Sequence, residues 1–160
     1  MITRRQIPMT PEGHRRLHEE LKKLKAVDRP KNVADIEHAR SLGDLSENAE
    51  YHAAKEKQGF IASRIAEIEN KLAQAHIIDP SKMNHQKVVF GATVKISDIN
   101  NGEEIQYQIV GADESDVRGG KISIESPIAK SLIGKEKGDT VKVSTPKGTK
   151  EFEILEIRFE

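Results

Sequence analysis

Gly43-Asp44-Leu45-Ser46-Glu47-Asn48-Ala49-Glu50-Tyr51 lies between two long helical patterns and concentrates carboxylates at the turn that joins them. Upstream, Thr10 can cap a helix whose first position is Pro11, where a missing N–H costs nothing, and Glu12 faces the positive end of the dipole. Leu17, Leu21 and Leu24 recur at steps of four and three, Val33 and Ile36 resume the stripe, and polar residues fill the other faces. Downstream, Ile61, Ile65, Ile68 and Leu72 follow the same spacing after a weaker Ala49, His52, Ala53 portion. Two narrow apolar stripes separated by the short Ser41 to Asp44 connection predict an antiparallel helical hairpin, because each arm needs the other to leave water. At 1.5 Å per residue, an arm from Pro11 to Leu42 spans roughly 45 to 50 Å, which sets the acidic turn far from the base. Pro30 removes one backbone hydrogen bond and predicts a kink or a restarted helix, with Asp28 as a local cap. Gly59 costs about 1 kcal/mol relative to Ala, which a close approach of the arms would compensate.

The period changes after Ile77-Ile78-Asp79-Pro80. A Pro/Ser/Asn/His segment to Gln86 breaks the helix and reads as a linker. The runs 92–99, 104–110, 121–124, 140–143 and 150–159 are rich in Val, Ile, Thr and aromatics with partial alternation, and Asn101-Gly102 and Pro146-Lys147-Gly148 mark hairpin turns. Ser126-Pro127 followed by Gly134 brackets one short helix that packs Leu132 or Ile133 on the sheet. The expected fold class is therefore α+β: a helical coiled-coil hairpin over 1–78 with its acidic tip at 41–51, a linker over 79–86, and a small sheet domain with a short helix over 87–160.

Charge supports an elongated first half. Residues 1–40 carry 10 Lys/Arg against 6 Asp/Glu, residues 41–80 carry 4 against 7, and residues 81–160 carry 12 against 13. A net charge of zero makes the chain a poor autonomous binder of duplex DNA, while the basic first arm can still touch a phosphate backbone. No cysteine is present, which removes disulfides, thiolate metal sites and cysteine nucleophiles and fits a reducing cytosol. No apolar stretch reaches membrane-spanning length, and Arg4-Arg5 is followed by polar residues and a proline rather than a signal-peptide core. The expected location is the cytoplasm. His14, His18, His38, His76 and His85 share no metal-ligand spacing with acids and receive no ligand role.

The linked runs Ile7-Pro8-Met9-Thr10, Gly43 through Ala54, Phe90-Gly91-Ala92-Thr93-Val94, and Ser126-Pro127-Ile128-Ala129 through Ile133-Gly134-Lys135 resemble the GreA/GreB family of bacterial transcript-cleavage factors. The match runs from about Gln6 to the end in the family's order, and the tip run is its most specific part. The resemblance implies a monomer whose coiled coil enters the secondary channel of a backtracked RNA polymerase elongation complex and stimulates the polymerase's own cleavage of the nascent RNA 3′ end. It implies that Asp44 and Glu47 act as the catalytic pair and as ligands of a Mg²⁺ shared with the polymerase, the protein holding no cofactor of its own. It implies that Arg40 and Lys55, close behind the tip, meet RNA phosphates; Lys55 stands where family members often carry Arg and lacks its bidentate geometry. It implies that Glu125, Ser126, Pro127 and Ile128 dock on the polymerase, and that the second domain is FK506-binding-protein-like.

Each assignment has a plainer competitor in the residues themselves. Asp44 and Glu47, three apart, also match a capping box in which each side chain returns a bond to the other's backbone N–H. Exposed Arg40 and Lys55 also fit ordinary surface charge, and Ser126 and Pro127 also fit a helix start. Tyr51 and His52 can stack on a base, or one of them can pack between the arms. Two other functions share the shape: a channel-plugging transcription inhibitor, and a prolyl isomerase or chaperone. The first calls for a more crowded acidic tip, and the second for an aromatic-lined apolar pocket, for which this half supplies Phe90, Tyr107, Phe152 and Phe159.

Overall fold

The computed structural model describes residues 6–160, so the Arg4-Arg5 stretch lies outside it. The chain divides into two compact units, one spanning 14–75 and one combining 6–13 with 76–160. No helix among the described residues is long and apolar enough to cross a membrane.

The first unit is a helical hairpin. Its first arm comprises α1 (Pro11–Lys23) and α2 (Arg29–Arg40), and the second is α3 (Ala49–Ala73). Thr10 Oγ1 accepts from the Gly13 N–H at 3.1 Å and so caps α1 as its sequence predicts. Between α1 and α2 lies a π-helical turn, Leu24–Asp28, in which the Arg29 N–H donates to the Leu24 carbonyl. This turn stands just before Pro30, whose missing N–H leaves the ordinary ladder one donor short. Asp28 does not cap: it has helical dihedrals and makes no side-chain cap bond.

The π turn also explains a misplaced stripe. One extra residue shifts the seam by one position, so the heptad phase of Leu17, Leu21 and Leu24 continues at Asn32, Ile36 and Ala39. Asn32 is 1% exposed whereas Val33, expected in the stripe, is 45% exposed. Asn32 Nδ2 donates to the Ala54 carbonyl across the hairpin at 2.9 Å, which is what permits an amide in that seam. Ala54, Ile61, Ile65 and Ile68 are buried on the facing arm, with Leu72 half-buried. Arg64 grips Glu20 across the hairpin through two bonds of 2.7 and 2.9 Å, and Lys25 meets Glu69 at 2.5 Å. The guanidinium holds the Glu20 carboxyl below its usual range against a smaller opposing effect of burial. Gly59 faces open space, so no close approach of the arms offsets its helix cost.

The second unit holds a five-stranded sheet in the order β5-β4-β3-β7-β6, formed by β3 (Thr93–Asp98), β4 (Glu104–Val110), β5 (Lys121–Ser123), β6 (Thr140–Thr145) and β7 (Gly148–Arg158). All pairings are antiparallel except β4 with β5. Between the pairs Lys95↔Glu156 and Ile96↔Ile154 the register slips, leaving Leu155 as an extra residue that bends β7 and curls the sheet. Val94, Ile96, Ile109, Ile154 and Val88 are fully buried in the core. Leu132 of α4 (Pro127–Leu132) joins them, while Ile133 points outward at 37% exposure. In the expected linker, Asp79 Oδ1 holds the Ser81 N–H and hydroxyl, and Pro80 is buried against Gly91, where a Cβ would come within 2.9 Å of the Pro80 Cγ. Gly91 also has φ +89, so a side chain there is disfavoured twice.

A short pairing that the periodicity does not reveal joins β1 (Ile7–Met9) to β2 (Ala75–Ile77), extended by Ile78 N–H donating to the Met9 carbonyl at 2.8 Å. Glu114 fastens this segment. Its carboxylate accepts from the Thr10 and Gly111 N–H groups at 3.1 Å each and from the Thr10 hydroxyl. Glu114→Ala should therefore raise hydrogen exchange across residues 7–13 and lower the unit's stability by about 2 kcal/mol, the cost of orphaning partly buried donors. Unchanged exchange at Thr10 and Gly111 would contradict the clamp.

Candidate functional site at the hairpin tip

Seven residues, 41–47, lead from the end of α2 to Asn48, the residue before α3; this is longer than the four-residue connection expected. Ser41 closes α2, its N–H donating to the Glu37 and His38 carbonyls. Gly43 then turns the chain at φ +132, a conformation closed to L side chains. Leu45–Glu47 forms one 3-10 turn, and α3 begins at Ala49.

Asp44 caps that turn rather than α3. Its Oδ1 accepts both the Ser46 N–H and the Ser46 hydroxyl at 2.9 Å, and these two bonds, the backbone one foremost, hold the carboxyl below its ordinary pKa. The capping box with Glu47 does not form. α3 has its own cap in Asn48, whose Oδ1 accepts from the Tyr51 N–H at 3.0 Å, so Glu47 has no capping duty there. Both bonds to Asp44 fall on one oxygen, and both carboxylates are exposed. Asp44, Glu47 and Glu50 line one shallow depression with Leu42, Asn48 and Ala49.

The folded-state pKa of Asp44 lies below its unfolded value. Whatever stability its bonds contribute is thus present above the unfolded pKa and is lost as pH falls through the folded one. At neutral pH the carboxylate is ionised.

Behind the tip, the Arg40 guanidinium lies 5.9 Å from the Tyr51 ring centroid, within cation–π range, and both are carried by different arms. Tyr51 is half-buried and His52 exposed; the His52 Nε2 stands 3.2 Å from the Ser46 carbonyl, so this ring braces the turn from α3. Lys55 donates to Gln58 at 2.8 Å on the same helix. In the other unit, Glu125 and Pro127 are exposed, Ser126 caps α4 by accepting from the Ala129 N–H at 3.2 Å, and Ile128 packs against the core. The structure thus brings Arg40, Asp44, Glu47 and the Tyr51–His52 pair to one end of the hairpin and holds 125–128 at the start of α4. Sequence reading missed Asn48, although its place directly before a helix is the ordinary signal for a cap. Among the described residues, no three His, Asp or Glu side chains gather into a metal site.

Comparison with known proteins supplies the family. The profile described as "Transcription elongation factor, N-terminal" matches residues 7–77, and that described as "Transcription elongation factor, GreA/GreB, C-term" matches residues 83–159. The chain is 56% identical over 153 residues to the transcription elongation factor GreA of Phenylobacterium zucineum, covering 96% of this chain and 98% of that one. It is 55% identical over 154 residues to the GreA of Thermodesulfovibrio yellowstonii, with the same coverage. Among solved structures it is similar to the GreA factor homolog 1 (Gfh1) of Thermus thermophilus, with 28% identity over 96% of this chain and 99% of that one and a TM-score of 0.44. Two consecutive profiles and near-full-length identity above one half place this chain in the GreA/GreB family of transcription elongation factors.

Proposed function

We propose that this chain works in the cytoplasm as a monomer that inserts its hairpin into the secondary channel of a bacterial RNA polymerase. There it stimulates the polymerase's own cleavage of backtracked RNA at the nascent 3′ end, freeing arrested elongation complexes. The observation that carries the reading is the division of labour at the tip: Asn48 caps α3, which leaves two exposed acids, Asp44 and Glu47, at the turn. The protein is in this reading a donor of side chains to another enzyme and not an enzyme by itself.

The donor set suits an ion held in common with the polymerase. Hard carboxylate oxygens match Mg²⁺, but two side chains cannot fill an octahedral shell. In phosphodiester hydrolysis such an ion lowers the pKa of an attacking water and neutralises developing charge. Asp44, ionised and fixed through Oδ1, presents its second oxygen, and Glu47 supplies the other carboxylate. Arg40 and Lys55 offer positive charge to RNA phosphates on either arm. Arg40 has a planar donor fork as well as its place beside Tyr51, whereas Lys55 offers a point charge and must leave Gln58.

The sheet unit is the anchor. We read its curled sheet with one short helix as FK506-binding-protein-like, and within 125–128 the exposed Glu125 and Pro127 are its outward docking groups, with Ser126 and Ile128 holding their shape. Isomerase activity is not favoured, since Phe90 and Phe152 are buried in packing rather than lining a pocket. Channel-plugging inhibition is not favoured either, given the family and a tip with the cleavage-factor pair.

A Mg²⁺ titration of RNA cleavage in stalled complexes tests the shared ion. Asp44→Asn keeps an oxygen for the Ser46 bonds but loses the charge, so it should fold and bind normally yet move the Mg²⁺ requirement back to that of polymerase alone. A titration curve identical to wild type would overturn the shared-ion reading.

A further inference from the structure

We infer that Asn48 is a positioning residue for the acidic tip, acting by tying the two arms together directly beneath it. This rests on the proposed role of Asp44 and Glu47. The Asn48 amide is used at both ends: Oδ1 accepts from the Tyr51 N–H at 3.0 Å, and Nδ2 donates to the Ala39 carbonyl at 2.6 Å. Ala39 sits near the end of α2, where carbonyls lack helical partners, and its oxygen also takes the Leu42 N–H at 3.2 Å. One side chain therefore caps the start of one arm and the end of the other.

The consequence is geometric. Residues 41–47 hang between two feet, Ala39 and Asn48, and the Asn48 bonds fix the separation of those feet. Glu47 is the residue adjacent to Asn48, and the Ser46 carbonyl is braced from His52, one turn further along the same helix. Asp44 is held by Ser46, which belongs to the same turn, so the orientation of the turn as a whole decides where the carboxylates point. A catalytic group displaced by even a fraction of its productive geometry loses rate steeply.

Asn is chemically specific here. Aspartate can cap α3 but has no donor for Ala39 and adds a negative charge beside a carbonyl at the negative end of α2; serine can cap α3, but its hydroxyl sits one bond short of the Nδ2 that reaches the Ala39 carbonyl.

The test compares Asn48→Ser, Asn48→Asp and Asp44→Asn in the full-length chain with stalled polymerase complexes. Asn48→Ser should keep the helical content and the factor concentration for half-maximal effect, because the anchor and the α3 cap remain. Its maximal cleavage rate should fall about fivefold to tenfold, the rate counterpart of one lost positioning bond. Amide exchange should quicken at residues 42–47 and stay unchanged at Ile61–Ile68, a pattern that general destabilisation of the hairpin would not give. Asn48→Asp should fall at least as far despite capping well. Wild-type maximal rate and tip exchange in Asn48→Ser would overturn the inference, as would a change confined to half-saturation. If Asp44→Asn also behaves as wild type, the role of the tip fails; if Asp44→Asn is impaired while Asn48→Ser is not, only the positioning role of Asn48 fails.

Discussion

Asp44→Ala and Glu47→Ala should each abolish stimulated RNA cleavage, lowering it by about a hundredfold or more, while binding to the polymerase stays close to wild type. The size follows from the part each carboxylate plays: a charged ligand in a site where charge develops is worth several kcal/mol of the barrier, whereas an exposed acid at the end of a hairpin contributes almost nothing to docking area. Stability separates this from a structural account. Asp44→Ala removes the two Ser46 bonds from a one-turn element, and Glu47→Ala removes no cap, because α3 is held by Asn48. Both variants should melt within about 1 kcal/mol of wild type. Each should also act as a competitor, suppressing wild-type stimulation when present in large excess. Measured cleavage at wild-type levels under saturating factor would end the tip hypothesis, and failure to compete would show that the acids serve docking.

How much of this was legible before the structure depends on the kind of residue that carries it. The second arm was readable from Ile61 onward, because Ile61, Ile65 and Ile68 are apolar, regularly spaced and buried as their period demands; nearer the turn the expected Ala49, His52 and Ala53 are exposed and Ala54 takes the seam. The start of α4 was readable because Ser126 and Pro127 are each specific to one position of a first turn. The first arm was readable to Leu24 and again at Ile36, which is buried as expected, but not at Val33 between them. Past Leu24 the π turn shifts the phase by one residue, and the seam position falls on Asn32, a polar residue that a count of apolar positions passes over. Asn48 carried a local signal, its place before α3, but its bond to Ala39 across the hairpin, like that of Asn32 to Ala54, has a partner that no local pattern reports. At the tip both acids lie in the turn as expected, but the local bond differs: a capping box assumes that a helix starts at Asp44, and three residues of tighter turn intervene. The pairing of β1 with β2 joins residues almost seventy positions apart through strands of three residues each, too short for alternation to register.

Ile154→Ala should uncouple potency from chemistry. Ile154 is fully buried in β7, between β3 and β6, and its backbone bonds reach Gly138 and Asp139, so the cavity left by truncation opens in the middle of the sheet unit with little scope for collapse. The cost should be about 3 to 4 kcal/mol. For a unit of this size that is a fall in melting temperature of roughly 12 °C or more, while the hairpin seam of Ile61, Ile65 and Ile68 is untouched. Below the new melting point the variant should stimulate cleavage like wild type. Above it, with the anchor unfolded but the acids intact, the factor concentration for half-maximal cleavage should rise by about a hundredfold or more, because the tip then reaches its target without the effective concentration that a docked partner module provides. Unfolding the sheet unit also releases Thr10 from Glu114, so the first turn of α1 should fray with it, visible as exchange at residues 7–13 rising together with that of β3 and β7. The maximal cleavage rate at saturating factor should change far less than the potency. Equal potency on both sides of the sheet unit's melting transition would mean that the hairpin finds the polymerase unaided, and the anchoring role assigned to residues 125–128 would fall.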